Sequence, residues 1–563
     1  MLTLPADIQL LILDHITSNA DLKELCVTSK ACRNLALPRL YHYVNLITWD
    51  SDQSRLKRFV RCMSKGAGLH LQHTRIWTLQ NTMPPSEPQC QLTGRLEFKQ
   101  DVSSKTKDGP APAETVDSFV LVLLEMFPEH RLRQFGYISD ESISQQIMTS
   151  LIKKQKNLEQ VQLSWGTILG SSRKIKHLDF QPLFRNLRAL DVYVTGPREV
   201  ESLIEELAKD DLKLERLALG MADGVALAIQ DYILLQAMHR TPSSPNLKDC
   251  TLRGLKLDHY TCALWKPIMN LAKLQHLTVS NCSGIDQFIL EDVALEFSVG
   301  ALSLRHLAIE LEADPDALVA ILDRCHLLES LHVKMPSLPR TDYFLDALKP
   351  HAASLRTLAL HERDATADQD EEDPISPHDF KKICKVGRNV HYFGFQLSPH
   401  ELDPADWNAG DDGFATRLRS MKIMRGLRVI HFRLPQSESV DVGNITFYQT
   451  QAHVTWELQK FSNGVFEYMD RHKACPDLKA IVIGHHSHVG PGSHLGEEMV
   501  EWFYPRHCFI KGYQIDVLQR RTAVAVPVPA YRIQELEPGC DLLDYDPECE
   551  WVGGLPGRFH FLR

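Results

Sequence analysis

One phrase, Leu-x-x-Leu-x-Leu, keeps returning along this chain, and no other feature restricts so tightly what it can fold into. Strong copies are Leu158-Val161-Leu163, Leu187-Leu190-Val192, Leu214-Leu217-Leu219, Leu247-Cys250-Leu252, Leu274-Leu277-Val279, Leu304-Leu307-Ile309, Leu328-Leu331-Val333 and Leu355-Leu358-Leu360. Weaker copies are Leu132-Phe135-Tyr137, Val390-Phe393-Phe395, Leu427-Ile430-Phe432 and Leu478-Ile481-Ile483. The leading residues of the strong copies stand 24 to 33 residues apart. The last two apolar positions of each phrase fall on one side of a short strand, because side chains alternate with period two. The first fills the same core where the strand begins. The rest of each unit returns the chain through a helix, as the patterns of Glu199–Asp210, Asp314–Cys325 and Asp342–His351 predict.

One such unit cannot bury its own apolar face, so neighbours must stack and their strands must join in a parallel sheet. The expected class is α/β, a solenoid with the sheet on its concave face and the helices outside. The period resembles that of leucine-rich repeats, in the irregular form that follows F-boxes in fungal and plant receptors. The asparagine that anchors regular repeats is largely absent; only Asn281, near Val279, offers a comparable group.

The first 46 residues differ in kind. A Leu-Pro-x-Asp-Ile opening leads into an amphipathic helix, with Leu4, Ile8, Leu11, Ile12 and Ile16 at spacings of three and four. Pro5 suits a first helical turn, where its missing N–H has no intrahelical partner, and Asp7 favours the positive end of the helix dipole. Asn19 or Asp21 caps a second helix with Leu22, Leu25 and Cys26 facing inward, and a third segment ends in Pro38-Arg39-Leu40-Tyr41. Three helices this short enclose little core, so part of the apolar stripe stays available to a partner. The segment resembles an F-box, the module by which substrate receptors dock on the Skp1 adaptor of a cullin-RING ubiquitin ligase. That resemblance implies Skp1 contacts at Leu4, Pro5, Ile8, Leu11, Ile12, Leu22 and Leu25, and through Skp1 a cullin. Cys32 departs from it, standing where an aromatic residue is common.

The chain thus divides into an F-box at 1–46, a linker and N-terminal cap of the array at 47–131, the repeats at 132–484 and a C-terminal capping region at 485–563. His73 to Leu79 reads as an opening strand, Thr82 to Pro112 as a loop, and Phe119 to Phe127 as a buried helix. An acidic insertion at 363–377 reads as a surface loop, with Ser376-Pro377 as a docking or phosphorylation tract in the alternative. Val524 to Pro529 reads as an edge strand. A cap is needed because an open last repeat would expose sheet edge and core.

Composition excludes several functions. A net charge of −10 argues against a general nucleic-acid binder. No apolar run reaches the length of a membrane span, and the start lacks the pattern of a signal peptide. Thirteen scattered cysteines without a C-x-x-C pair read as reduced thiols of a cytoplasmic or nuclear protein. His485, His486, His488 and His494 are dense, yet no Cys, Asp or Glu stands at ligand spacing, so no metal is expected. Gly490, Gly492 and Gly496 miss the dinucleotide fingerprint by one residue. There is no G-x-S-x-G, no H-E-x-x-H and no paired Cys/His nucleophile. No catalytic residue and no cofactor are expected: the chain reads as a receptor, not an enzyme.

Residues flanking each apolar pair point to the concave face. Those expected to meet a protein substrate are Asp191, Tyr193, Arg253, His276, His306, His332, Lys334, His361 and Arg433. The histidines, with His431, would line a pH-sensitive strip. The leading expectation is a substrate-recognition adaptor of an SCF-type (Skp1-cullin-F-box) ligase. The alternative is a ligase-independent repeat scaffold whose N-terminal helices only cap the solenoid.

Overall fold

The computed structural model describes residues 4–14, 19–47, 54–81, 113–139, 143–165, 186–194, 213–221, 247–257, 270–336, 342–362, 375–397, 399–402, 413–433, 451–484, 507–515, 517–528 and 531–542, with Ile16, Leu203, Leu207 and Trp407. The chain divides into two compact units, Met1–Pro84 with Lys99–Leu247, and Lys248–Arg563 with Pro85–Phe98. Both have α/β architecture.

The first unit opens with α1 (Ala6–Asp14), α2 (Asn19–Thr28) and α3 (Lys30–Leu40). Leu13, Leu22 and Ala36 form their core, with Ile16, Leu25, Cys26, Leu35 and Leu40 packed around it. Ser29 caps α3 by accepting the Cys32 N–H, and α3 ends shortly after Pro38, which cannot donate to the helical ladder. Six parallel strands follow in chain order: β1 (Tyr43–Ile47), β2 (Ile76–Asn81), β3 (Gln134–Ser139), β4 (Gln160–Trp165), β5 (Ala189–Val194) and β6 (Arg216–Met221). Strand β1 revises a boundary. Residues 43–46, expected to close the helical module, already pair with β2, so the sheet begins there. Helices α4 (Ser54–Ser64), α5 (Ala113–Met126) and α6 (Gln145–Lys154) return the chain between strands.

The second unit continues with β7 (Asp249–Arg253), β8 (His276–Ser280), β9 (His306–Glu310), β10 (Ser330–Met335), β11 (Thr357–Glu362), β12 (Tyr392–Gln396), β13 (Val429–Arg433) and β14 (Ala480–Gly484), all parallel and in chain order. The pattern then changes: β15 (His507–Ile515) and β16 (Arg521–Val528) pair antiparallel after β14. Of the expected edge strand at Val524 to Pro529, residues 524–528 are the second half of β16, and Pro529 lies outside the described residues.

All twelve copies of the phrase are strands, and each leading residue lies buried just ahead of its strand, from Leu132 through Leu328 to Leu478. At each step within a unit one backbone carbonyl accepts two successive N–H groups from the next repeat; Arg356 and Thr357 both donate to the Glu329 oxygen, at 2.7 and 3.1 Å. Polar glue sits one residue ahead of the phrase. The Asn157, Asn186 and Asn389 amides donate to carbonyls of the preceding repeat at 3.0 Å, and the Ser354 hydroxyl does the same at 2.6 Å. Asn281, expected as the anchor, instead takes a left-handed turn at φ 51° with its side chain exposed. Its N–H donates to the Glu310 carboxylate at 2.8 Å.

Helices cover the leucine-bearing face. Pro315–Arg324 starts at an Asp314 cap with proline in its first turn. The expected Asp342–His351 helix is Asp342–Leu348 followed by a 3-10 turn at Lys349–His351. Phe380, from the Pro377–Val386 helix, packs edge-on against Phe395 with centroids 4.9 Å apart. Phe461, from the Gln451–Arg471 helix, meets Phe432 at 5.3 Å. Ser376, expected in the acidic loop, caps the Pro377–Val386 helix by accepting the Asp379 N–H, and Ile375 beside it is buried. The rest of that loop lies outside the described residues. Among the described residues no helix is long and apolar enough to cross a membrane.

Candidate functional site

Period-two alternation leaves each strand of the second unit with a face opposite the helices, and register aligns those residues into rows. The first row runs Asp249, His276, His306, Ser330, Thr357, Tyr392, Val429, Ala480 across β7 to β14. The next passes through Thr278, Ala308, His332, Ala359, Gly394, His431 and Val482. Seven of the nine residues expected to meet a substrate share this face: Arg253, His276, His306, His332, Lys334, His361 and Arg433. Stacking brings them close. The His276 and His306 rings are 4.3 Å apart, and His361 meets His431 edge-on at 5.5 Å. Gly394 permits the second contact, since a Cβ there would come within 3.3 Å of the His361 ring and 3.2 Å of Ala359. Asp191 belongs to the first unit, where its carboxylate accepts from the Gln162 amide at 3.2 Å. The Tyr193 side chain lies outside the described residues.

The expectation of an open face is corrected by what lies on it. His332 is 8% exposed, His431 1% and Arg433 2%. Residues Tyr531–Leu536 form a short helix after β16, and the chain from there to Leu542 crosses the polar face as a strap. Ile533, Cys540 and Leu542 pack with Ala359, Tyr392, Val429, Ala480, Val482 and Cys508 into one apolar cluster. Two carboxylates anchor the strap. Glu537 accepts from the Tyr392 hydroxyl at 3.0 Å and from Arg428 at 3.3 Å, and pairs with Lys479. Asp541 accepts from the Thr357 hydroxyl, with His306 at 3.5 Å and His332 at 4.0 Å.

Electrostatics follow from this packing. Burial acts to raise Asp541, but hydrogen bonds from His306, Ser330 and Thr357 and the charge of His332 outweigh it and hold the carboxyl at about 2. Glu537 behaves alike: burial acts to raise it, and Lys479, Tyr392 and Arg428 bring it below the usual carboxylate range. Tyr392 is pushed up by burial and by Glu537. His361 is held well below an ordinary imidazole by burial, then by His431, Arg433, His332 and Lys334. His507, buried on β15, is lowered to about 4.

Beside the end of the strap, Leu542 borders a small recess lined by Thr278, Glu310, His332, Lys334, His361 and Arg433, among others. Glu310 pairs with Lys334 at 3.3 Å and is 7% exposed, so the recess holds charges of both signs. Among the described residues no group of three His, Cys, Asp or Glu side chains is placed to hold a metal ion. The histidines at 485–494 and the glycines at 490–496 lie outside them.

A second surface is apolar. On α1 and just ahead of it, Leu4, Ile8 and Ile12 are 37–39% exposed and Leu11 is 56% exposed, with Leu10 joining them at 55% and Pro5 also exposed. The two remaining residues expected to face a partner behave differently. Leu22 is 3% exposed and Leu25 half-buried, because the three helices need both for their own core.

No protein-family model matches this chain, and no curated protein is significantly similar to it in sequence. Function is therefore argued from these two surfaces. Alternation and spacing made the residues of the sheet face legible. The strap was not legible, because Tyr531 to Leu542 carries no repeat phrase and takes its meaning from strands 145 and 184 residues away. A weak signal existed: Ile533, Glu537, Cys540 and Leu542 place apolar and acidic groups alternately in a stretch punctuated by Pro538 and Gly539.

Proposed function

We propose that this chain is the substrate-recognition adaptor of an SCF-type ubiquitin ligase, acting in the cytoplasm or nucleus. In this reading the N-terminal helices are an F-box that binds a Skp1-like adaptor and through it a cullin. The leucine-phrase units are irregular leucine-rich repeats that hold a protein substrate, and residues 485–563 cap them. The observation that supports the reading is the contrast within α1–α3. Leu13, Leu22 and Ala36 close a small core, while Leu4, Ile8, Leu10, Leu11 and Ile12 stay at the surface. A row of large aliphatic side chains on a nine-residue helix has no use in water, and it fits a partner's apolar groove. The repeats that follow contribute recognition, and the chemistry of ubiquitin transfer belongs to the assembly.

The test is co-purification with Skp1, comparing the intact chain, a chain lacking residues 1–46, and an Ile8→Asp/Leu11→Asp variant. A stoichiometric complex of the intact chain that is lost in both others supports the adaptor role. Absence of a complex from well-folded intact protein overturns it, and a ligase-independent scaffold becomes the better account.

A further inference from the structure

The strap shows what chemistry the polar face of the second unit accepts. Of the three carboxylates in its twelve residues, Glu535 pairs with Arg532 on the strap itself, and Glu537 and Asp541, four positions apart, meet the face, with Ile533, Cys540 and Leu542 as apolar contacts. Each carboxylate meets a different set of donors. Glu537 sits where Lys479 and Arg428 converge with the Tyr392 hydroxyl, and Asp541 sits on the Thr357 hydroxyl beside two imidazoles. These donors come from β9 to β12 and the segments just ahead of β13 and β14, so the sheet itself builds both sockets. The Lys479 and Arg428 side chains remain 44% and 40% exposed, which leaves the Glu537 socket reachable from solvent while it is filled. The strap reaches the face through the segment after β16 and, among the described residues, forms no strand with it.

We propose that this face is a receptor for an acidic peptide, and that residues 531–542 occupy it as a built-in version of that ligand. A partner presenting two carboxylates four residues apart, flanked by apolar side chains, binds by displacing them. The inference rests on reading the sheet face as the partner-binding surface, and is independent of whether the N-terminal helices bind Skp1. It specifies the partner as an acidic protein segment.

The test uses the full chain carrying a protease site inserted between Val528 and Tyr531, cleaved after folding so that the strap becomes exchangeable. The probe is a fluorescent synthetic peptide of residues 529–544, with a neutral counterpart carrying Glu537→Gln and Asp541→Asn. Anisotropy is expected to show at least tenfold tighter probe binding to cleaved than to intact chain. On the cleaved chain the neutral peptide is expected to bind at least tenfold more weakly, and Lys479→Glu in the receptor to weaken the native probe to a similar degree. The proposal is overturned by equal binding of the charged and neutral peptides, or by equal binding to intact and cleaved chain. It is equally overturned if cleavage abolishes the cooperative melting transition, since the strap would then be a fixed part of the core. Skp1 co-purification on the same samples separates the two ideas: its loss with peptide exchange intact removes the adaptor role alone.

Discussion

The two units use the same strands and register yet treat the sheet face away from the leucines in opposite ways. In the first unit the row is largely neutral and pairs sideways, from strand to strand. The Gln134 amide donates to Gln160 at 2.7 Å, Gln162 donates to Asp191 at 3.2 Å, and Tyr43 meets Thr78 at 3.4 Å. In the second unit the row carries imidazoles, Lys334, Glu310 and Arg433, and a segment from far along the chain lies over part of it. An amide has both donor and acceptor and can pair with its copy one strand away. Stacked cations repel one another and carry no acceptor. Glu310 supplies one acceptor within the sheet, to Lys334, and Glu537 and Asp541 bring two more from outside it, to Lys479, Arg428, Tyr392 and Thr357.

This contrast can be broken at several points. The largest effect is expected from Ile533→Ala, which removes a fully buried side chain from the strap. A cost of about 2–5 kcal/mol is anticipated for such a cavity. Hydrogen exchange should show it as lost protection in β9 to β14 with β2 to β5 unchanged; equal loss in both units would contradict the comparison. Acid comes next. His507 and His361 have folded values below their ordinary ones, so each contributes stability that is complete above about pH 6.5 and declines as pH falls toward its folded value. For His507 the decline ends near 4 and amounts to about 3 kcal/mol. Asp541 adds a later loss, between its ordinary 3.8 and about 2. His42 and His73 shift the same way in the first unit, but they are not buried, so its response should be smaller. Stability measured from pH 7 to 4.5 should fall mainly in the second unit, and His507→Gln should flatten that fall.

Smaller still is the expected effect of Gln134→Leu combined with Gln160→Leu. Removing both halves of a paired amide leaves no orphan, so stability should change by less than about 1 kcal/mol. Thr357→Val, which removes one donor from Asp541 and leaves the acceptor, should cost about 1–2 kcal/mol by the same reasoning. Urea unfolding of the two variants tests the asymmetry directly. Smallest is Leu11→Ser on α1: at 56% exposure it should shift stability by no more than about 0.5 kcal/mol, so a loss of Skp1 association would report on the surface alone.

How much of this could be read in advance follows the range of the interactions. The phrase repeats within about thirty residues, so its strands, its buried leading leucines and the helix after Asp314 were all visible. Strand β1 was hidden because Tyr43 to Ile47 lacks the leading leucine and follows a helical segment without a break. The inter-repeat glue is not legible in the phrase, because Asn157, Asn186 and Asn389 stand one residue ahead of it, outside the apolar pattern that marks the strands. Ser376 carried a readable signal, a cap followed by proline and then Asp379, that was outweighed by the acidic run before it. Leu22 shows the limit of a helical stripe: spacing marks it as apolar, and only the placement of Leu13 and Ala36 decides that it faces inward.

The strap also reorders events in the life of the chain. A protein grows from its N-terminus, so His306 leaves the ribosome well before the Asp541 that seats against it. At the usual pace of synthesis the interval is on the order of 10–50 s. Within that time each strand from β10 to β14 can stack on the one before it as it emerges, since each needs only its neighbour, while their charged row stays bare. A repeat array that would otherwise fold stepwise thus acquires a final stage gated by translation, and a frameshift or stop codon shortly before residue 531 would leave a nascent chain with every strand made and this face uncovered.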